Sequence, residues 1–340
     1  MGNVICKMKA AVLEEINQPL VIGDVDLTEA KFGQVIVKIL VSGVCGAQLQ
    51  EIAGLKGNAK FVPHLLGHEG CGIVESVGEG VTRVKQGDKV ILHWKKGEGI
   101  ESPFPEYIYK GKKISSGKIT TLSEKSIVSE NRLTTIPQDT PNEFCALLGC
   151  GMSTALGIVN YDANIKFGET VLVIGCGGVG LNIIMAANLA SAGNMYGLDI
   201  SNEKKSMVEG LGAKFITGLN EISEKIDCII DTSGNMEVIS DYLPLLSARG
   251  RCIIVSQPSK HNCLEIKNPA NFFAGNGQII RSTQGGNVNP TDDFPRYVNL
   301  YKKGKINFEN LITHKFGLDD VNTAIDLVKN GKAGRIMIYP

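Results

Sequence analysis

The sequence predicts an α/β protein of two domains, a small β-barrel followed by a doubly wound parallel sheet. Three observations carry this. At 340 residues the chain is long for one core and comfortable for two. Near residue 152 the rhythm changes from short strands with glycine turns to alternating strands and helices. Just beyond that change, the run Val173-Ile174-Gly175-Cys176-Gly177-Gly178-Val179-Gly180-Leu181-Asn182-Ile183 takes a β-rich segment through a G-x-G-x-x-G turn into an apolar helix.

The first 150 residues are strand-like at 7–13, 34–41, 70–77 and 88–93, with glycines at 33, 43, 67, 78, 80 and 87 between them. Regularly spaced short strands with glycine turns predict a small barrel. The later region predicts strands at 170–174, 194–199, 227–231, 251–256 and 278–283, with helices at 179–191, 202–211 and 235–248 between them. That alternation predicts a parallel sheet. After Gly285-Gly286 come helical stretches at 294–303 and 319–330 and a final strand, Arg335–Tyr339. The expected domains are therefore 1–151, with 286–340 returning to it, and 152–285.

The stretch 95–125 is polar, with Lys95, Lys96, Lys110, Lys112, Lys113, Lys118 and Lys125 set against Glu98, Glu101, Glu106 and Glu124. It reads as a solvated loop or edge hairpin. The alternative is a basic lip for a phosphorylated substrate.

Composition excludes several classes. Lys+Arg and Asp+Glu are both 35, so nothing points to nucleic acid or an anionic membrane. No apolar run approaches bilayer-spanning length. Residues 1–11 carry no signal-peptide pattern, and Gly2 is followed at position 6 by Cys6 rather than Ser or Thr, which argues against myristoylation. Nine cysteines without a C-x-x-C pair read as reduced thiols of a cytoplasmic protein. Cys176, Cys228 and Cys252 are expected in the core, as are Cys6, Cys71, Cys145 and Cys263.

The glycine run predicts a dinucleotide site. Gly175 permits the tight turn, Gly177 lets backbone approach a pyrophosphate, and Gly180 lets helix and strand pack closely. Gly178 and Val179 open the helix, whose free N–H groups and dipole favour phosphate. Asp199 follows Gly180 by 19 residues, at the end of the next apolar run. A carboxylate there accepts from ribose hydroxyls and repels a 2′-phosphate, which favours NAD over NADP; Lys204 and Lys205, one turn on, soften that preference.

Three further segments stand out: Gly43-Val44-Cys45-Gly46, Gly67-His68-Glu69-Gly70, and Leu148-Gly149-Cys150-Gly151-Met152-Ser153-Thr154. The separations, 23 residues from Cys45 to His68 and 82 from His68 to Cys150, do not form a local metal motif. By spacing alone these are core thiols and a hydrogen-bonded histidine.

Together with Val84–Val90, Leu311-Ile312-Thr313-His314 and Gly331–Arg335, these segments resemble the zinc-dependent medium-chain alcohol dehydrogenase family over essentially the whole chain. The resemblance implies a GroES-like catalytic barrel domain plus a Rossmann cofactor domain. It implies one catalytic Zn²⁺ per chain at Cys45, His68 and Cys150, with Glu69 beside it as a transient ligand. Such a Cys₂His site leaves a tetrahedral position for substrate. It also implies that Arg335 contacts the cofactor pyrophosphate, that Lys204 lies near the adenosine ribose, and that backbone near Val255 and at 282–284 holds the nicotinamide amide. Trp94 falls at an aromatic substrate-pocket position, for which ordinary core packing is an equal alternative. His314 is family-typical without a catalytic role.

Departures from the family narrow this. The aspartate that usually buttresses the zinc histidine is Gln48, whose amide is expected to bond His68 without charge. The usual proton relay is missing, with Ala47 and Gln50 in its place. Ordered water assisted by Glu69 or His93 is the expected substitute, with His93 facing away and doing nothing as an equal alternative; Gln48, His93 and Trp94 are the residues expected at the substrate pocket. Residues 91–144 contain no cysteine, which excludes a four-cysteine structural zinc lobe there.

The expected function is a zinc- and NAD-dependent dehydrogenase of a secondary alcohol, polyol or sugar-like substrate. Two alternatives stand beside it: a zinc-free NAD(P)H reductase of the same fold, and a non-catalytic NAD-binding protein. The expected partners are a small-molecule alcohol or carbonyl compound and a second copy of the chain in a homodimer or homotetramer, paired through an edge strand near 278–284. No nucleic acid or membrane partner is expected.

Overall fold

The structure is a computed structural model that describes residues 4–55, 61–256 and 262–340. Gly2 lies outside the described residues. Two compact units emerge, Met1–Gly151 with Asn289–Pro340, and Met152–Val288.

In the first unit a closed barrel runs in the order Val4–Leu13, Val21–Thr28, Tyr107–Tyr109, Lys112–Ser116 and His64–Leu65. The polar stretch 95–125 thus supplies a barrel hairpin. Tyr107 and Tyr109 are buried and Ile108 between them is less so, as the two-residue strand period requires. Several lysines of the alternative basic lip are engaged by acids. Lys110 pairs with Glu14, Lys113 with Glu106, and Lys96 and Lys118 with Glu101.

A second sheet of this unit runs Leu133–Thr135, Lys89–His93, Glu69–Val77, Gln34–Val44, Arg335–Tyr339 and Ile312–Gly317, with Lys125–Ser129 also pairing with Gln34–Val44. The C-terminal strand therefore returns beside the strand that ends at Cys45, with Ile336 opposite Val44 and Met337 opposite Gly43. Helix Val321–Lys329 seals this junction, packing Val321, Ala324 and Ile325 against Val44, Leu66, Ile336 and Ile338.

The second unit is a six-stranded, all-parallel sheet in the order Lys214–Ile216, Met195–Leu198, Val171–Ile174, Ile226–Asp231, Leu246–Ile254 and Ile279–Ser282. Counted along the chain this is 3-2-1-4-5-6, the doubly wound order whose direction reverses beside the first strand. The glycine run follows that first strand, at the end where such sheets bind ligands.

Some expectations shift. The helix expected at 235–248 stops at Tyr242, followed by a 3₁₀ turn over Leu243–Leu245 and a strand from Leu246. Pro244 explains the early stop, since it lacks an N–H and disfavours helical geometry before it. All nine cysteines are free thiols. Cys71, Cys145, Cys176, Cys228 and Cys252 are buried as expected, but Cys6 is half-buried and Cys263 is exposed. No single described helix is long and apolar enough to cross a membrane.

Candidate metal centre and cofactor turn

Three chain segments meet in the first unit. Cys45 ends the strand Gln34–Val44 and caps helix Gly46–Ile52 in an extended conformation. His68 follows Gly67, whose φ of +100° favours glycine and where a Cβ would lie 2.5 Å from Thr121 Oγ1. Cys150 sits between helices Asn142–Leu148 and Gly151–Gly157. The Cys45 and Cys150 sulfurs and a His68 ring nitrogen all lie within 4.8 Å of one another, Cys45 buried and the other two half-buried. A tetrahedral zinc site with these donors has edges of roughly 3.3–3.8 Å, so the trio fits one Zn²⁺ with an open fourth position.

The electrostatics suit a cation. The Cys45 thiol is held well below its ordinary pKa, first by a hydrogen bond from Cys150 and then by the charge of His68. Cys150 is pushed up by the same hydrogen bond and by burial. Burial works to lower the His68 pKa, but the Cys45 charge and hydrogen bond outweigh it and the net shift is upward. The two sulfurs thus compete for a proton, and a bound metal would displace it.

Glu69 stands beside the trio but is not one of its three converging donors. Its Oε2 accepts the Gly151 N–H at 3.1 Å and its Oε1 accepts the Arg335 guanidinium. Glu69 is fully buried and Arg335 is 2% exposed. Arg335, expected at the cofactor pyrophosphate, pairs here with Glu69 through one nitrogen, and its Nε has no partner among the described residues. A guanidinium buried this deeply needs an anion in contact, and Glu69 supplies it. Ser42 and Thr121, which the sequence reading missed, fix the other side of Glu69. Their hydroxyls are hydrogen-bonded to each other at 2.7 Å and both lie 3.2 Å from the Glu69 carbonyl, to which the one not donating to its neighbour donates.

The three residues expected at the substrate pocket behave differently. Gln48 is fully buried, and its Oε1 accepts the Cys45 N–H at 3.0 Å. It therefore orders the helix start rather than bonding His68 or lining an open pocket. Its Nε2 finds no hydrogen-bond acceptor among the described residues. His93 is also fully buried, with Nδ1 at 2.7 Å from the Lys95 carbonyl and Nε2 at 3.0 Å from Thr134 Oγ1. A neutral ring donates to the first and accepts from the second, which leaves no nitrogen for a relay. Burial pushes the His93 pKa down to about 4, and Arg132 adds to the effect. Adjacent strand residues face opposite sides, so the sequence carried a signal that His93 and Trp94 do not share one face. Trp94 is half-buried against the cluster that contains Val35, Leu92 and Leu133. Its indole lies 5.9 Å from the Lys95 ammonium.

In the second unit the glycine run forms the expected turn. Gly175 has φ of +87°, and helix Gly178–Leu189 begins immediately after Gly177. At Gly180 a Cβ would fall 1.9 Å from the Gly175 carbonyl oxygen, so helix and turn close only with glycine. Beside Gly177 nothing lies within 4 Å of the Cβ direction, which leaves room for a ligand at the helix start, where Gly178 and Val179 supply the first-turn N–H groups. Asp199 accepts the Cys176 N–H at 2.7 Å through Oδ2 and the Ser201 N–H at 2.9 Å through Oδ1. Each oxygen keeps a second lone pair for a hydroxyl donor. Lys204 is buried nearby, its pKa lowered by burial against the opposing pull of Asp199. Val255 follows the strand Leu246–Ile254 and donates its N–H to the Asp231 carbonyl at 2.9 Å.

Comparison with known proteins agrees with both halves. Residues 31–138 match the alcohol dehydrogenase GroES-like domain and residues 178–303 the zinc-binding dehydrogenase domain. The chain is 31% identical to alcohol dehydrogenase 6 of Peromyscus maniculatus, over 100% of this chain and 99% of that protein. Among solved structures it resembles an alcohol dehydrogenase zinc-binding domain protein from Burkholderia ambifaria, at TM-score 0.90 and 22% identity, covering 98% of this chain and 99% of that one. It also resembles benzyl alcohol dehydrogenase from Acinetobacter calcoaceticus, at TM-score 0.88 and 21% identity, with the same coverage.

Proposed function

The chain belongs to the GroES-like, zinc-binding alcohol dehydrogenase family of medium-chain oxidoreductases, and from that premise we propose that it transfers a hydride between NAD and a secondary alcohol, polyol or sugar-like substrate at a zinc site. The observation that carries the proposal is the convergence of the Cys45, His68 and Cys150 donor atoms within 4.8 Å.

Cys45, His68 and Cys150 would hold the metal, as thiolates and a neutral imidazole. When bound, zinc supplies a Lewis acid at the alcohol or carbonyl oxygen, and NAD supplies the hydride acceptor. Glu69 and Arg335 fix the charge balance behind the trio. The Gly175–Gly180 turn takes the pyrophosphate and Asp199 takes the adenosine ribose. Val255 and the 282–284 backbone, at the ends of the last two parallel strands, take the nicotinamide amide. Neither Ala47 nor Gln50 can pass a proton, and His93 is committed elsewhere, so the alcohol proton leaves directly to solvent. Gly46, exposed beside Cys45, borders that exit. Ile279 is 51% exposed on the edge strand Ile279–Ser282, along which we propose a second copy pairs.

The test is oxidation of a panel of secondary alcohols, polyols and sugars with NAD, followed at the NADH absorbance, on protein of measured zinc content. Turnover that disappears with zinc supports the proposal. Equal turnover of enones by zinc-free protein supports the reductase alternative. NADH binding without any turnover supports the binding module.

A further inference from the structure

Asp162 lies in the second unit at the end of a π-helical turn, Ile158–Asp162. Such turns recur at functional sites. The Asp162 side chain has no solvent exposure. Its two oxygens collect three donors: Arg281 Nη2 at 2.8 Å, Thr283 Oγ1 at 2.5 Å and Asn287 Nδ2 at 2.5 Å. Arg281 lies in the edge strand Ile279–Ser282, and Thr283 and Asn287 in the short segment that leaves it.

That segment is conformationally demanding. Gly285, Gly286 and Asn287 have φ of 73°, 68° and 52°, three left-handed residues in succession. Asn287 adopts that conformation without being glycine, and it is the one bonded to Asp162. A run of this kind persists only where surrounding contacts over-determine it. The turn is also wedged against the helix that leads to Asp162, since a Cβ on Gly157 would lie 2.3 Å from the Gly286 carbonyl oxygen.

We propose that Asp162 is a positioning residue for the nicotinamide end of the cofactor. Its partners at 281, 283 and 287 bracket the 282–284 backbone and hold it in the register that reads the nicotinamide amide. This rests on the NAD reading above. A carboxamide presents a donor and an acceptor at once, so the backbone that reads it must keep a carbonyl and an N–H at a fixed separation. A single fully buried carboxylate gripping both flanks of the segment does that. Arg281 neutralises the buried charge, which an uncharged residue at 162 would leave the guanidinium without.

The test separates the two ends of the dinucleotide. NADH and ADP-ribose, which lacks the nicotinamide, are titrated into the full chain and into Asp162→Ala, Thr283→Val and Thr283→Ser. The expected result is that Asp162→Ala weakens NADH about tenfold, the worth of one or two positioned hydrogen bonds, with ADP-ribose affinity changed less than about twofold. Thr283→Val follows Asp162→Ala in part, and Thr283→Ser, which keeps the hydroxyl, behaves as the unaltered chain. Should Asp162→Ala not fold, the Thr283→Val and Thr283→Ser pair decides by the same split. Equal loss of both ligands, or no loss of either, overturns the proposal. Failure of the unaltered chain to bind NADH overturns the NAD reading itself, and is distinguished because it appears before any substitution is made.

Discussion

Glu69 and Arg335, 266 positions apart in the chain, form a buried ion pair directly beside the Cys45–His68–Cys150 trio. The pair is brought together by the return of the C-terminal strand alongside the strand ending at Cys45. Arg335 also pulls down on both thiols electrostatically, as a fixed positive charge beside the trio. Removing it alone strands a buried carboxylate. Arg335→Met is expected to destabilise the chain by about 3–5 kcal/mol in urea unfolding. The double variant Glu69→Met with Arg335→Met is expected to recover more than half of that loss, and a double variant no more stable than the single one would contradict the pairing.

The proposed zinc and dinucleotide sites are built from different units and are expected to fail separately. Cys150→Ser should lose zinc and turnover while NADH binding persists. Gly180→Ala drives a methyl into the Gly175 carbonyl and should weaken NADH by more than about tenfold while zinc stays bound. Metal analysis and NADH titration of both variants check this. Zinc retained in Cys150→Ser would remove Cys150 from the ligand set.

His93 carries a pH dependence of stability rather than of catalysis. Its ring stays neutral when folded down to about pH 4, whereas the unfolded group takes up a proton near 6.5. The unfolded state therefore binds more protons between those values, and stability contributed by His93 is full above about 6.5 and falls as pH drops towards 4. The span corresponds to roughly 3 kcal/mol. His93→Gln should flatten the unfolding free energy over this window and leave the pH–rate profile unaltered. A displaced pH–rate profile would return His93 to the proton path.

The missing relay is testable by restoring it. Ala47→Ser combined with Gln50→His supplies a hydroxyl and an imidazole on helix Gly46–Ile52, and is expected to raise kcat/KM about tenfold near neutral pH. Small imidazole buffers should accelerate the unaltered chain more than this double variant. Equal buffer response in the two would mean that the proton never limited the rate.

The glycine turn was legible because its logic is local: strand, turn, helix and acid lie within about thirty residues and each needs its own residue type. The parallel sheet was legible from periodicity, and only Pro244 displaced a helix end appreciably. The Cys45–His68–Cys150 trio was not legible from spacing, since its members sit 23 and 82 residues apart, and resemblance alone assembled it. The Glu69–Arg335 pair and the Asp162 network escaped for the same physical reason. Burial of a charge is decided by which distant strand or turn packs on it, and nothing near Arg335 or Asp162 in the sequence records that. Gln48 misled because its expected partner was a ring nitrogen, while the nearer Cys45 N–H at a helix start is an orphan donor that a side-chain oxygen readily takes.

Whether the trio holds a metal is decided by elemental analysis of the full chain purified without chelator. About one zinc per chain is expected, lost together with alcohol oxidation in Cys150→Ser. Zinc near zero after resupply, in protein that still oxidises an alcohol with NAD, would contradict that expectation.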